Sequence, residues 1–154
     1  MLPMKTSIIT NGPVTPTEIE ELRALVGWER CEGTYEQILK RHDAYYVART
    51  EDGLLVGYAS VLSDGIADAY LIDLMVHPQH QRAGLGSSLV KRAAEDVRKR
   101  GIQCLQVTFD RSLASFYAAC GFHIFGGGVI DFRNMAWGEG EPAATGANDQ
   151  MESH

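Results

Sequence analysis

The segment Gln81-Arg82-Ala83-Gly84-Leu85-Gly86 is where residue types and spacing in this chain first suggest chemistry. It lies between an apolar run ending at Val76 and a stretch of helical periodicity beginning at Leu85. The first turn of a helix presents amide hydrogens that have no partner within the helix, and the helix dipole adds partial positive charge there. Glycine at 84 and 86 removes the side chains that would hold a phosphate oxygen away from that backbone. The segment therefore suits an anion, a diphosphate above all, with Arg82 placed to add charge. Its spacing fits neither G-x-x-x-x-G-K-[ST] nor G-x-G-x-x-G, which excludes the nucleoside-triphosphate and dinucleotide loops. Gly126, Gly127 and Gly128 follow no strand-to-helix step and read as a flexible connection.

The surrounding pattern supplies the elements that must hold this loop. Lys5 to Thr10 reads as a short strand ended by Asn11-Gly12-Pro13. Thr15-Pro16-Thr17-Glu18 has the form of a capping box, followed by Ile19, Leu22, Leu25 and Val26 at helical spacing. Thr34 to Gln37 repeats the signature and predicts a second short helix to about His42. Tyr45 to Thr50 and Leu54 to Leu62 read as a hairpin turning at Glu51-Asp52-Gly53. Ala69 to Val76, apolar except for Asp73, reads as a central strand buried on both faces. Leu85, Leu89, Ala93 and Val97 line one helix face, which Gly101 ends. Cys104 to Phe109 reads as a strand, and Leu113, Phe116, Tyr117 and Cys120 as a short amphipathic helix; a final strand pair brackets the glycine triplet. This order predicts an α/β (α+β) domain with a mostly antiparallel sheet, parallel only where the central helix makes a crossover.

With 154 residues, 45% of them hydrophobic and 22% charged, the chain falls in the range of one ordinary globular domain, expected over residues 1–137. Residues 138–154 hold four acidic residues, no Lys or Arg and no periodicity, and read as a disordered acidic tail. That leaves 14 basic against 16 acidic residues in the body, too little positive charge for nonspecific nucleic-acid binding. No apolar run approaches a membrane span, and Met1 to Thr10 has no signal-peptide core, so a cytoplasmic protein without membrane contact is expected. Cys31, Cys104 and Cys120 lack paired C-x-x-C spacing, so they read as reduced packing thiols and no metal site is expected.

From Leu71 to Phe122 the chain resembles the GNAT superfamily of N-acetyltransferases. The family signature [RQ]-x-x-G-x-[GA] follows a V-x-P strand end, here Val76-His77-Pro78 and then Gln81 to Gly86. A second match is Phe116-Tyr117-Ala118-Ala119-Cys120-Gly121-Phe122, similar to F-Y-x-x-x-G-F. The resemblance implies a central sheet of six or seven strands flanked by about four helices. It implies acetyl-CoA as cosubstrate, with its pyrophosphate on the backbone of Gln81, Arg82, Ala83, Gly84, Leu85, Gly86 and Ser87. It further implies that Leu74, Met75 and Val76 face the pantetheine arm across splayed strands. The Leu74 amide would polarise the acetyl carbonyl, and Val76 would pair with the pantetheine amides. Asp110 stands where the family often has an asparagine that contacts the cofactor.

The implied reaction is direct attack of an amine on the thioester. The oxyanion needs a fixed donor, which the Leu74 amide would supply. The leaving thiolate benefits from a proton, and by resemblance Tyr117 is the acid, since a phenol stays protonated at neutral pH. The amine must lose a proton, and here two residues compete. Several relatives place a glutamate or histidine where this chain has Tyr70, a poor base that could orient a water. Asp73 is the nearest carboxylate; it could act in catalysis, satisfy backbone donors or bind a cationic substrate. His77 reads as a solvent-side loop residue. Two functions follow: an N-acetyltransferase for a primary amine of a small molecule or protein, or a catalytically silent acyl-CoA-binding sensor or interaction module. In either case exposed final strands would suit a homodimer.

Overall fold

The computed structural model describes residues 5–133. They form one five-stranded sheet in the order β1-β2-β3-β4-β5, comprising β1 (Thr6–Thr10), β2 (Ala44–Thr50), β3 (Leu55–Ser63), β4 (Asp68–Val76) and β5 (Cys104–Val107). The first three pairings are antiparallel. The last, β4 with β5, is parallel, because α3 (Leu85–Lys99) carries the chain across between them. Helices α1 (Pro16–Leu25) and α2 (Tyr35–Arg41) precede β2, and α4 (Ala114–Ala119) follows β5.

Local chemistry accounts for most of these boundaries. The amide of Glu18 donates to Thr15 Oγ1, and the amide of Thr15 donates to Glu18 Oε1, each at 3.2 Å, so the capping box at α1 forms. The β2–β3 hairpin closes as Thr50 N–H donates to the Leu54 carbonyl at 3.0 Å, with Gly53 at φ +89° in a conformation disfavoured for residues with a Cβ. Thr34 starts α2 without a side-chain cap, contrary to the repeated box signature, because its hydroxyl donates instead to the Cys31 carbonyl at 2.6 Å.

Strand alternation divides the core between the two faces of the sheet. Tyr46, Ala48, Val56, Ala59, Val61 and Leu71 pack with Leu89, Val90, Ala93 and Val97 of α3. Val47, Leu55, Tyr58 and Met75 pack with Ile19, Leu22 and Tyr35 of the first two helices. A Cβ on Gly57 would lie 2.9 Å from Leu89 Cδ1 and 3.1 Å from Ala48 Cβ, so the missing side chain lets α3 approach the sheet. Beyond apolar packing, Tyr46 donates to Asp96 Oδ2 at 2.6 Å, and Arg100 donates to Asp43 Oδ2 at 2.5 Å, tying the end of α3 to the start of β2.

Several sequence expectations need correction. The sheet has five strands among the described residues, not six or seven, and no strand brackets the glycine triplet up to residue 133. A strand pair is stable only when it buries a face. Here Phe125, Ile130 and Phe132 are 80%, 81% and 93% exposed. Strand β4 is not buried throughout: α3 covers one face, while Asp68 and Tyr70 stay exposed on the other. Helix α1 turns Ile19, Glu20, Leu22 and Arg23 inward and leaves Leu25 exposed. The expected boundary at 137 and the tail at 138–154 lie outside the described residues. Among those described, no helix is long and apolar enough to cross a membrane.

Candidate active site

A break in the sheet creates the site. Parallel pairing of β4 with β5 runs from Asp68↔Cys104 to Leu71↔Val107 and stops, so residues 72–76 have no strand beside them on that edge. Pairing with β3 slips in the same region: Tyr58 opposes Met75 but Ser60 opposes Ile72. Two residues of β4, Asp73 and Leu74, thus stand opposite Ala59. This is a bulge, and Asp73 adopts φ +54° within it. The bulge resets the alternation of side chains and turns the Asp73 carboxyl toward the first two helices. Strand β4 ends as His77 N–H donates to the Val56 carbonyl at 2.8 Å.

The glycine loop follows directly. Gln81 Nε2 donates to the Val76 carbonyl at 3.0 Å and closes the loop onto the strand. Arg82 is exposed with φ +64°, and Gly84 sits at the helix N-cap with φ +83°. No side chain caps α3. The first main-chain bond of the helix is Ser88 N–H to the Gly84 carbonyl at 3.0 Å, which leaves the amides of Leu85, Gly86 and Ser87 without a helical acceptor. A Cβ on Gly86 would come within 3.5 Å of Phe116 and Val76, filling room beside those amides. This uncapped, glycine-lined turn fits the diphosphate of acetyl-CoA.

Below the break lies a cleft of about 650 Å³. It is lined by Leu71, Asp73, Leu74, Phe109 and Tyr117 from the sheet and α4 side, and by Arg23, Trp28 and Glu29 from the end of α1. Asp73 Oδ2 accepts the Tyr35 hydroxyl hydrogen at 2.7 Å. Arg23 Nη1 donates to the Tyr35 oxygen at 2.9 Å and lies 3.4 Å from Asp73 Oδ1, while its Nε donates to the Glu29 carbonyl at 2.6 Å. The Arg23 guanidinium is also stacked 5.3 Å from the Trp28 ring centroid. Burial, and then the Asp73 charge, push the Tyr35 phenol well above its ordinary range. Behind this cluster Tyr58 and His42 Nδ1 are 3.3 Å apart, and burial pulls the His42 pKa down while Asp73 draws it up.

Tyr117 is 5% exposed and packs against Phe109, Phe116 and Phe122 with ring centroids 4.8, 4.9 and 5.7 Å away. Burial pushes its pKa up to about 12, so the phenol stays protonated through neutral pH. Its hydroxyl makes no hydrogen bond among the described residues, yet no buried polar side-chain atom is left unsatisfied, so the group keeps access to the cleft it lines. Asp110 also lines the cleft, but its Oδ1 accepts the Ser112 amide at 2.9 Å, which lowers its pKa and spends that oxygen on its own turn.

Of the residues singled out in the sequence, Asp73, Leu74, Asp110 and Tyr117 meet at one cleft, and Val76 with residues 81–87 form its neighbouring loop. Met75 points away into the core under α1 and α2, at 1% exposure. Tyr70 does not join the cleft. It pairs with Leu62 and Gln106 in the regular part of β4, where alternation puts it on the face opposite Leu71, and it is 43% exposed. Arg23, Trp28 and Tyr35 join the cleft or its supporting cluster although no motif in the sequence marks them. Arg23 stands four residues after Ile19 and three before Val26, a charge on the apolar stripe of α1, and that was the available signal.

Comparisons with known proteins bear on the family and the fold. A family model described as "Acetyltransferase (GNAT) family" matches residues 15–122. The chain is 25% identical over 117 residues to an uncharacterized N-acetyltransferase, ycf52, of Pyropia yezoensis, covering 73% of this chain and 67% of that protein. It spans about two thirds of the length of the ycf52 relatives and about half that of the plant chloroplast relatives. A solved GNAT-family acetyltransferase of Streptococcus pneumoniae TIGR4 superposes with a TM-score of 0.72 at 27% identity, covering 84% of this chain and 99% of that one. The fold also matches YhbS of Escherichia coli, solved in complex with CoA, with a TM-score of 0.65 at 18% identity over 80% of this chain and 71% of that one. A strand that parts from its neighbour beside an uncapped glycine turn is what such a protein needs, and a family match over residues 15–122 completes the assignment: the chain belongs to the GNAT family of acetyltransferases, whose acetyl donor is acetyl-CoA.

Proposed function

We propose that this protein transfers the acetyl group of acetyl-CoA to a primary amine by direct attack. The observation that carries this reading is the end of β4–β5 pairing at Leu71↔Val107, next to the free amides of α3. Acetyl-CoA supplies an activated thioester when bound; the chain supplies orientation and charge. Amides 85–87 and Arg82 hold the diphosphate, and the open edge of residues 74–76 receives the pantetheine arm. The Leu74 amide donates to the acetyl oxygen as negative charge grows there. Asp73, fixed by Tyr35 and Arg23, draws the ammonium of the acceptor to the edge of the bulge.

Tyr117 donates a hydrogen bond to the departing sulfur. Outright proton transfer from a phenol near 12 to a thiolate near 8.5 is uphill by roughly 5 kcal/mol, so the phenol works best as a donor whose bond tightens as charge builds on sulfur. The ammonium first gives up one proton to water, the neutral amine attacks the thioester carbon as the C–S bond breaks, and the second proton shed by the nitrogen goes to the CoA thiolate to give the free thiol. Tyr70, outside the cleft, has no part in these steps, and Asp110 shapes the loop before α4. The acceptor, whether a small molecule or a protein amine, belongs to this reading, as does a cytoplasmic setting.

The test is thiol release from acetyl-CoA across a panel of amines, paired with calorimetric titration of acetyl-CoA. Binding together with amine-dependent release supports transfer. Binding without release from any amine supports instead the silent acyl-CoA-binding module.

A further inference from the structure

The donors of Arg23 are unequally used. Nε and Nη1 are committed to Glu29, Tyr35 and Asp73, whereas Nη2 has no acceptor among the described residues. The residue is 9% exposed and, among the described residues, no buried side-chain nitrogen is left unsatisfied, so Nη2 is accessible in a residue that lines the cleft. Its Cζ lies over two rings, 5.3 Å from the Trp28 centroid and 5.6 Å from that of Tyr35. A guanidinium fixed in this way, with donors to spare, pairs best with a planar oxyanion.

Beside it stands a carboxylate with capacity left. Asp73 accepts one short bond from Tyr35 and one long contact from Arg23, while an ionised carboxylate offers about four acceptor sites. A fixed cation and a fixed anion 3.4 Å apart are complementary to a ligand carrying the opposite pair on neighbouring atoms. A simple ammonium would meet only half of this arrangement and would sit close to a guanidinium of like charge. The other cation on the cleft wall, Arg133, is engaged by Asp131 at 2.7 and 3.0 Å. Leu71, Phe109 and Leu113 add apolar wall.

The geometry points to an α-amino acid with an apolar or aromatic side chain as the acceptor, its carboxylate on Arg23 and its ammonium on Asp73. This rests on the acetyl-transfer reading and narrows its substrate class. The experiment compares phenylalanine, phenylalaninamide and phenethylamine, by thiol release with acetyl-CoA and by calorimetric titration into CoA-loaded protein. Phenylalanine should exceed phenethylamine in kcat/KM and in affinity by about 10- to 100-fold, the range expected for charge-assisted hydrogen bonds, with the neutral amide between them. Arg23→Gln should erase the difference by raising KM for phenylalanine about 10-fold or more beyond any rise for phenethylamine, which also depends on the Asp73 that Arg23 helps to hold. Should that variant fail to fold, the ranking on the wild-type protein decides alone.

Equal or better turnover and binding of phenethylamine would overturn the assignment while leaving acetyl transfer standing. Selective binding of phenylalanine without thiol release would do the reverse, keeping the cleft assignment and removing the transfer reading.

Discussion

Tyr35 donates its hydroxyl hydrogen to Asp73 across 2.7 Å, joining the first residue of α2 to the bulge of β4, 38 positions away in the chain. The Tyr35 ring is 1% exposed, and its oxygen also accepts from Arg23. One hydroxyl therefore fixes both the carboxylate and the guanidinium that face the cleft. Tyr35→Phe keeps the ring and removes that link. It should cost about 1–3 kcal/mol of stability, because Arg23 and Asp73 each lose a partner in a largely buried setting. Denaturant unfolding measures the cost, and acceptor KM should rise in the same variant while acetyl-CoA affinity holds. Unchanged KM would remove Tyr35 from acceptor positioning.

Tyr117→Phe should lower kcat by about 100-fold, the lower end of what removing one fixed hydrogen-bond donor to developing negative charge costs. Affinity for acetyl-CoA should stay near wild type, since the ring packing against Phe109, Phe116 and Phe122 is retained. Single-turnover thiol release reads the effect directly. A rate equal to wild type would cancel the role of the hydroxyl.

Gly84→Val places a β-branched side chain at φ +83°, which costs on the order of 1–2 kcal/mol and shifts the turn that exposes the first amides of α3. Gly86→Val fills the space beside Phe116 and Val76 without forcing the backbone. Both should weaken acetyl-CoA binding in calorimetry, Gly86→Val with the smaller change in melting temperature. Wild-type affinity in both would contradict the diphosphate assignment.

Stability should fall as pH drops below about 6.5. Burial lowers the His42 pKa in the folded protein, so the unfolded chain binds a proton more readily. The contribution of neutral His42 is complete above the unfolded value and is lost as pH falls toward the lower folded one. His77, lowered first by burial and then by His80, acts in the same direction. The carboxylates Glu18, held down mainly by Arg49, and Asp110, held down by Ser112, add their loss only below about pH 4. Melting temperatures from pH 7 to 5 should decline for wild type and decline less for His42→Gln; parallel curves would exclude His42 as a source.

Local chemistry made much of this protein legible from sequence. The capping box at Thr15, the hairpin turn at Gly53, the fourfold spacing of Leu85, Leu89, Ala93 and Val97, and the glycine loop each depend on residues within one turn or one helix face. Each formed as read, because propensity, capping and periodicity act over short separations. The uncapped turn that leads from Gln81 into α3 belongs to this group, being built from main chain on a contiguous segment. Tertiary structure decided the opposite wall of the cleft. Arg23, Tyr35 and Asp73 come from α1, α2 and a bulge whose position depends on the slip between Tyr58 and Ser60 in the neighbouring strand. No periodicity in any single segment encodes that meeting. Burial of a charge on α1 is stable only because Asp73 and the rings of Trp28 and Tyr35 are there to receive it. The same dependence on partners explains the missing final strands: His123 to Phe132 holds β-forming residues, but strand pairing needs a face to bury, and the described fold offers none to Phe125, Ile130 or Phe132.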